Sequence, residues 1–228
     1  VTAYAPEGVA YHPGFGQQVP YRFDWLPDDP DGQVAVAIHQ MIDYILDDSK
    51  LGMIQERALL ALTLGDGDPV LGVWNSVKPR IQFKQDAEIA AGLQLSDNRL
   101  ADVVEVFIRP IDQELLIRVK GAGFEDCDGF ELYAGCVLTA LGIRTSLVTV
   151  AADRSEPTRY SHVYLAAYID GKRIPLDFSH GHYPGWECPN LGKIREWPIA
   201  RFSIAPCWIA LGLVLVAACY HLLKMRTA

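Results

Sequence analysis

Three side chains in this sequence have the types and spacing that nucleophilic acyl transfer requires: Cys127, His162 and Asp177. A thiolate attacks carbonyl carbon, and a neighbouring imidazole takes the thiol proton. Cys127 stands where the broken stretch Gly121-Ala122-Gly123 gives way to an apolar run, 127–141, that reads as a helix stopped by Gly142. The N–H groups and dipole at a helix N-terminus favour a thiolate there. Asp126 and Asp128 oppose it, because negative charge raises a thiol pKa. A charged His162 would have to outweigh them.

His162 and Asp177 lie on the two arms of a hairpin. Asp170-Gly171 is a strong two-residue turn signal between alternating segments, and it sets facing residues whose numbers sum to 341. Val163, Leu165, Ala167 and Ile169 then share one face with Ile174, Leu176 and Phe178, so that face belongs against a core. The other face carries His162, Tyr164, Tyr168, Arg173 and Asp177. Asp177 opposes Tyr164 and lies diagonal to His162, at the roughly 7–8 Å backbone separation that side chains span. A carboxylate there holds an imidazole in one tautomer and stabilises its charged form. Each residue also has a plainer reading: a small buried hydrophobe, a structural strand histidine and a turn aspartate.

The elements that must position these groups follow from the pattern. Residues 1–32 are rich in Pro, Gly, Tyr and Asp and read either as an extended arm or as a tail. The aromatics Tyr4, Tyr11, Phe15, Tyr21, Phe23 and Trp25 favour docking on a body or on a protein partner. Helical spacing begins at Gln33 with Val34, Ile38, Met41, Ile42 and Ile45. A second helix is predicted over 51–63 and a short third one from Pro69, carrying Val73, Trp74 and Val77. A short strand fits 80–83, a polar loop fits 84–98, and 145–150 reads as a buried strand. The segments 101–107 and 111–119, broken by Pro110, match neither period clearly.

Composition narrows the classes. With 50% apolar and 21% charged residues, the 228-residue chain is neither disordered nor low-complexity. A net charge of −8 and the lack of any basic stripe exclude a nucleic-acid binder. Five cysteines, an odd number at irregular spacing, make no disulfide framework, and no CxxC pair occurs. His180, His182 and Cys188 fit no zinc spacing, so neither metal nor cofactor is expected; this loop is read as a cleft rim with Trp186 as a wall. No apolar signal-peptide core stands in the first thirty residues. Residues 202–223 are 22 uncharged positions, with Trp208 and Tyr220 near the ends and Lys224 and Arg226 following. Their helical length of roughly 33 Å matches a bilayer core, so a single-pass C-terminal membrane anchor is expected.

The stretch Gly123-Phe124-Glu125-Asp126-Cys127-Asp128-Gly129-Phe130, followed by Leu138-Thr139-Ala140-Leu141-Gly142-Ile143, resembles the core motif of the transglutaminase-like superfamily. Ser161-His162-Val163-Tyr164, continuing through Asp170-Gly171-Lys172-Arg173-Ile174-Pro175-Leu176-Asp177, resembles its histidine strand and the strand after it. The resemblance spans about residues 70–187. It implies a papain-like α+β fold, a cysteine-bearing helix packed on an antiparallel sheet, within a domain over 33–200. It also implies Cys127 as nucleophile, His162 as base and Asp177 as orienting acid, acting on a peptide or protein amide. The Cys127 N–H is one expected oxyanion donor, and a second is sought near Trp74 or Gln82. Val163-Tyr164 departs from the aromatic-Val that often follows the family's histidine. Chains of this kind also occur among phage and prophage genes, so the resemblance extends to a viral origin. The sequence thus supports a membrane-anchored thiol acyl-transfer enzyme, a peptidase, amidase or crosslinking enzyme. The alternatives are a non-catalytic assembly protein, such as a virion membrane protein docking through this fold, or a peptide-binding module.

Overall fold

Two helices in this chain begin where aspartate precedes proline. In the computed structural model, which describes residues 8–12, 17–23, 29–86, 88–89, 106–190 and 192–200, β1 (Gly8–His12) and β2 (Gln17–Phe23) precede helix α1 (Pro30–Asp48). Asp29 caps α1 by accepting the N–H groups of Asp31 (3.1 Å) and Gly32 (2.9 Å). Pro30 occupies the first turn, where no N–H partner exists to lose. The helix therefore starts three residues before its apolar periodicity becomes visible. α2 (Gly52–Leu64) follows, and Asp68 caps α3 (Pro69–Val77) in the same manner through Val70 and Leu71.

A 3₁₀ turn, Lys78–Arg80, leads into β3 (Ile81–Phe83). β4 (Val106–Phe107) is followed by α4 (Pro110–Lys120), β5 (Gly123–Glu125) and the cysteine helix α5 (Cys127–Ala140). β6 (Arg144–Val150), β7 (His162–Ile169), β8 (Lys172–Leu176) and β9 (Ile194–Pro198) complete the order.

The unassigned segment 111–119 is the helix α4, and Pro110 opens it rather than breaking it. Its buried face includes Gln113 and Glu114, both fully inaccessible, and this polar content hides the apolar period. Glu114 is satisfied across the helices by Arg57 (2.9 and 3.2 Å) and the Tyr133 hydroxyl, and within α4 by Arg118. Buried charge of this kind persists only when paired and hydrogen-bonded.

The chain is α+β. α5 is buried from Asp128 to Leu138 and packs on α1, α2, α3 and strand β7, so it forms the centre of the core. The sheet order is β8-β7-β6-β9, antiparallel throughout. The β7–β8 register pairs Leu165 with Leu176 and Tyr168 with Arg173, as the Asp170-Gly171 turn dictates. Asp170 (φ 51°) and Gly171 (φ 76°) both take the positive φ that such a turn demands. Val163, Leu165, Ala167, Leu176 and Phe178 accordingly lie in the core against α5. On the opposite face, Tyr164 and Ala166 join Val148 and Val150, with Cys188 packed on them.

Within the Pro-rich N-terminal stretch, β1 pairs with β2, and β2 pairs with β4 near the sequence middle. β3 pairs in parallel with β5, directly before Cys127. Among the described residues no helix is long and apolar enough to cross a membrane, and the expected span 202–223 lies outside them. Among the described residues, Cys127, Cys136 and Cys188 take part in no disulfide.

Candidate active site

Cys127 is the first residue of α5. Asp126 closes the helix entry by accepting the Asp128 N–H (3.1 Å). β5 delivers the chain to this point, and Gly129 makes the approach workable: any Cβ there would overlap the Glu125 side chain. Glu125 is fully buried, with Oε1 accepting the Ile108 N–H (2.8 Å). Burial and the Asp126 charge push its pKa well above the usual carboxylate range, which favours the neutral acid beneath the cysteine turn.

His162 begins β7 and is 9% exposed, whereas Asp177, just beyond β8, is fully buried. The diagonal between them is closed by a contact of 2.6 Å from His162 Nε2 to Asp177 Oδ2. Burial favours the neutral form of Asp177, but the His162 hydrogen bond and charge, the His180 N–H and the Ser179 hydroxyl outweigh it and hold the pKa below the usual range. An ionised carboxylate only accepts, so His162 donates from Nε2 and its Nδ1 remains as the basic nitrogen.

Asp177 is held from beneath. The Phe178 N–H donates to Glu131 Oε1 of α5 (2.7 Å), and Lys78 Nζ donates to the Phe178 carbonyl (2.9 Å). Glu131 is fully buried, and burial followed by the Asp177 charge raises its pKa well above normal. Burial lowers that of Lys78. Trp74 of α3 packs on Phe178 with ring centroids 5.1 Å apart. Gly181 passes so close to the Asp177 carbonyl and the Trp74 ring that a Cβ has no room.

Cys127 and His162 line one cleft of about 230 Å³. Val34, Ile38 and Met41 of α1 give it an apolar wall, and Asp128 and Tyr160 stand on other sides. Cys127 and His162 therefore share an opening, and Asp177 lies behind the imidazole. Trp74, Gln82 and Trp186 are not among the residues that line this cleft. Trp74 is buried under the Asp177 loop, Gln82 is exposed on β3 opposite Phe124, and Trp186 is half-buried beside His182, with ring centroids 6.0 Å apart.

Sequence reasoning did not place α1 or Glu125 beside the cysteine turn, nor Glu131, Lys78 and Ser179 around the acid loop. Ser179 and His180 directly follow Asp177, which was the available signal. The donor atoms of His162, Asp177 and His180 lie within 4.8 Å of one another, as do those of Glu125, Asp126 and Asp128. In the first group His162 Nε2, His180 Nδ1 and both Asp177 oxygens already make hydrogen bonds. Cys188 packs on the sheet, and burial raises its pKa to about 11.

No family model matches the chain, and no curated protein matches it. Solved structures do. A protein from Cytophaga hutchinsonii, provisionally named a cysteine protease, is 16% identical over 72% of this chain and 50% of its own, with a TM-score of 0.37. A protein from Parabacteroides distasonis, provisionally named a protease, is 12% identical over 85% and 39%, with a TM-score of 0.43. A protein called a TGase is 16% identical over 72% and 36%, with a TM-score of 0.33. This chain spans half or less of each of them.

Proposed function

We propose that this chain is a transglutaminase-like thiol acyl-transfer enzyme acting on amide bonds. The observation that carries the reading is the His162–Asp177 bond of 2.6 Å, with the imidazole sharing a cleft with a cysteine at a helix N-terminus. The Cys127 thiolate attacks the amide carbonyl carbon and forms a C–S bond. The C–N bond then breaks as the His162 imidazolium gives its Nδ1 proton to the leaving amine. Water, or an amine, attacks the thioester while His162 takes its proton. The C–S bond breaks, releasing a carboxylic acid, or a new amide, and restoring the thiolate. Asp177 keeps Nε2 protonated throughout and stabilises the imidazolium. The substrate is a peptide or protein amide, and hydrolysis is favoured because water is always at hand. Residues 202–223 serve as a membrane anchor in this proposal, supported by their 22 uncharged positions. Retention of the full chain in carbonate-washed membranes tests the anchor; release into the wash refutes it.

The test of the chemistry is alkylation of the full chain in detergent with iodoacetamide, from about pH 4 to about pH 10, with the modified site read by mass spectrometry. Cys127 is expected to react well below the free-thiol pKa of about 8.5 and to lose this in His162→Ala. A Cys127 that is inert, or that titrates near the free value in both proteins, removes the mechanism.

A further inference from the structure

The carboxylate of Asp177 is engaged on both oxygens. Oδ2 faces His162, while Oδ1 accepts the His180 N–H (2.8 Å) and lies 3.0 Å from Ser179 Oγ. Ser179 Oγ is also 2.9 Å from His180 Nδ1. A serine hydroxyl has one proton. Asp177 is ionised and can only accept, so that proton goes to Oδ1. What Ser179 offers His180 is a lone pair, and His180 Nδ1 must therefore carry a hydrogen. The His180 ring is also fixed on two sides, edge-on to His162 with centroids 4.8 Å apart and edge-on to Phe83 at 5.5 Å.

We propose that Ser179 and His180 are positioning residues of the acyl-transfer site. In the relay, His180 Nδ1–H donates to Ser179 Oγ and Ser179 Oγ–H donates to Asp177 Oδ1. The relay orients the carboxylate so that Oδ2 meets His162 Nε2–H. It also holds His180 in the Nδ1–H tautomer. The inference rests on reading Cys127 and His162 as the reacting pair, but the relay itself is a separate structural statement.

The charged groups facing His180 are His162, Asp177 and Lys78. Burial, then the His162 charge, lowers the pKa of His180, with Asp177 opposing and Lys78 reinforcing. At neutral pH His180 is uncharged, so it orients Asp177 without placing a second positive charge beside the His162 imidazolium.

The experiment uses the full chain in detergent with ¹⁵N-labelled histidine. Long-range ¹H–¹⁵N spectra report which ring nitrogen is protonated, and His180→Gln assigns the signals. Wild type is expected to show His180 as Nδ1–H. Ser179→Ala should move most of it to Nε2–H and slow Cys127 alkylation at pH 6 by about threefold to tenfold, the scale of one hydrogen bond. Ser179→Thr, which keeps the hydroxyl, should restore both readouts. An Nε2–H signal for His180 in wild type overturns the relay, as does a tautomer unmoved by Ser179→Ala. A moved tautomer with an unchanged alkylation profile overturns the positioning role. Failure of the functional reading is distinct: Cys127 stays inert in a protein whose His180 still shows Nδ1–H.

Discussion

Replacing Asp177 by Asn tests the site at its most constrained point. The side chain keeps its size, so the perturbation is of charge and donor pattern alone. Two donors, the His180 N–H and the Ser179 hydroxyl, converge on the position of Oδ1. The asparagine carbonyl oxygen must occupy that position, which turns its NH₂ group towards His162 Nε2. Nε2 then has to accept, and the proton moves to Nδ1, the nitrogen that should receive the thiol proton. Charge is lost as well. A hydrogen bond to a charged group contributes about 1.5–3 kcal/mol, so the thiolate–imidazolium state loses about tenfold to 150-fold in population. The expected result is a Cys127 alkylation pKa raised by about 1–2 units, with His162 appearing as Nδ1–H in ¹⁵N spectra. Once a cleaved amide is in hand, turnover should fall by about 10⁴-fold, the scale known for a wrong tautomer in a serine protease triad. Asp177→Ala, which leaves His162 free to choose its tautomer, should keep the larger residual rate. An alkylation profile in Asp177→Asn that overlays wild type would refute the reasoning, as would a His162 that stays Nε2–H.

Glu131 and the loop it supports yield further expectations. Burial and the Asp177 charge favour the neutral form of Glu131 in the folded protein, and its Oε1 accepts the Phe178 N–H. Glu131→Gln should therefore cost less than about 1 kcal/mol in urea unfolding, whereas Glu131→Ala, which orphans that N–H, should cost about 1–3 kcal/mol. The sign of its pH effect follows from the raised folded pKa. The folded state holds a proton that the unfolded chain loses above about pH 4.5, so this stability is complete below that pH and is lost as pH rises towards the folded pKa. Glu131→Gln should remove this slope, and parallel stability curves for the two proteins would contradict it. Gly181→Ala should destabilise by about 1–3 kcal/mol, because the new Cβ meets the Asp177 carbonyl and the Trp74 ring. It should also slow Cys127 alkylation by displacing Asp177, and a variant with wild-type unfolding and reactivity would show that the loop has slack.

Local chemistry carried much of this protein's design in plain view. The Asp170-Gly171 turn and the alternation around it determine the β7–β8 register, because a hairpin of tight turn and period-two faces has no alternative pairing that keeps its apolar face buried. That is why His162 and Asp177, only 15 residues apart, could be placed side by side without tertiary information. The helix start at Pro69 and the run from Cys127 to Gly142 were equally legible, since both depend on neighbours within a turn.

Tertiary structure decided the rest, where the partner is distant in the chain. Helix α4 was obscured because its buried Glu114 is balanced by Arg57, 57 residues away, and no periodicity encodes such a pairing. The N-terminal strand β2 finds its second neighbour at Val106–Phe107. Lys78 reaches the Phe178 carbonyl across 100 residues, and the apolar wall beside Cys127 comes from α1. The burial that raises the pKa of Glu125 and Glu131 belongs to the packed core as a whole. Residue type and spacing determined which side chains had the chemistry. Only the packing of α5 between the helices and β7 determined that a thiol and an imidazole open onto the same cleft, because that juxtaposition is held by core contacts with α1, α2, α3 and β7, which lie far apart in the chain.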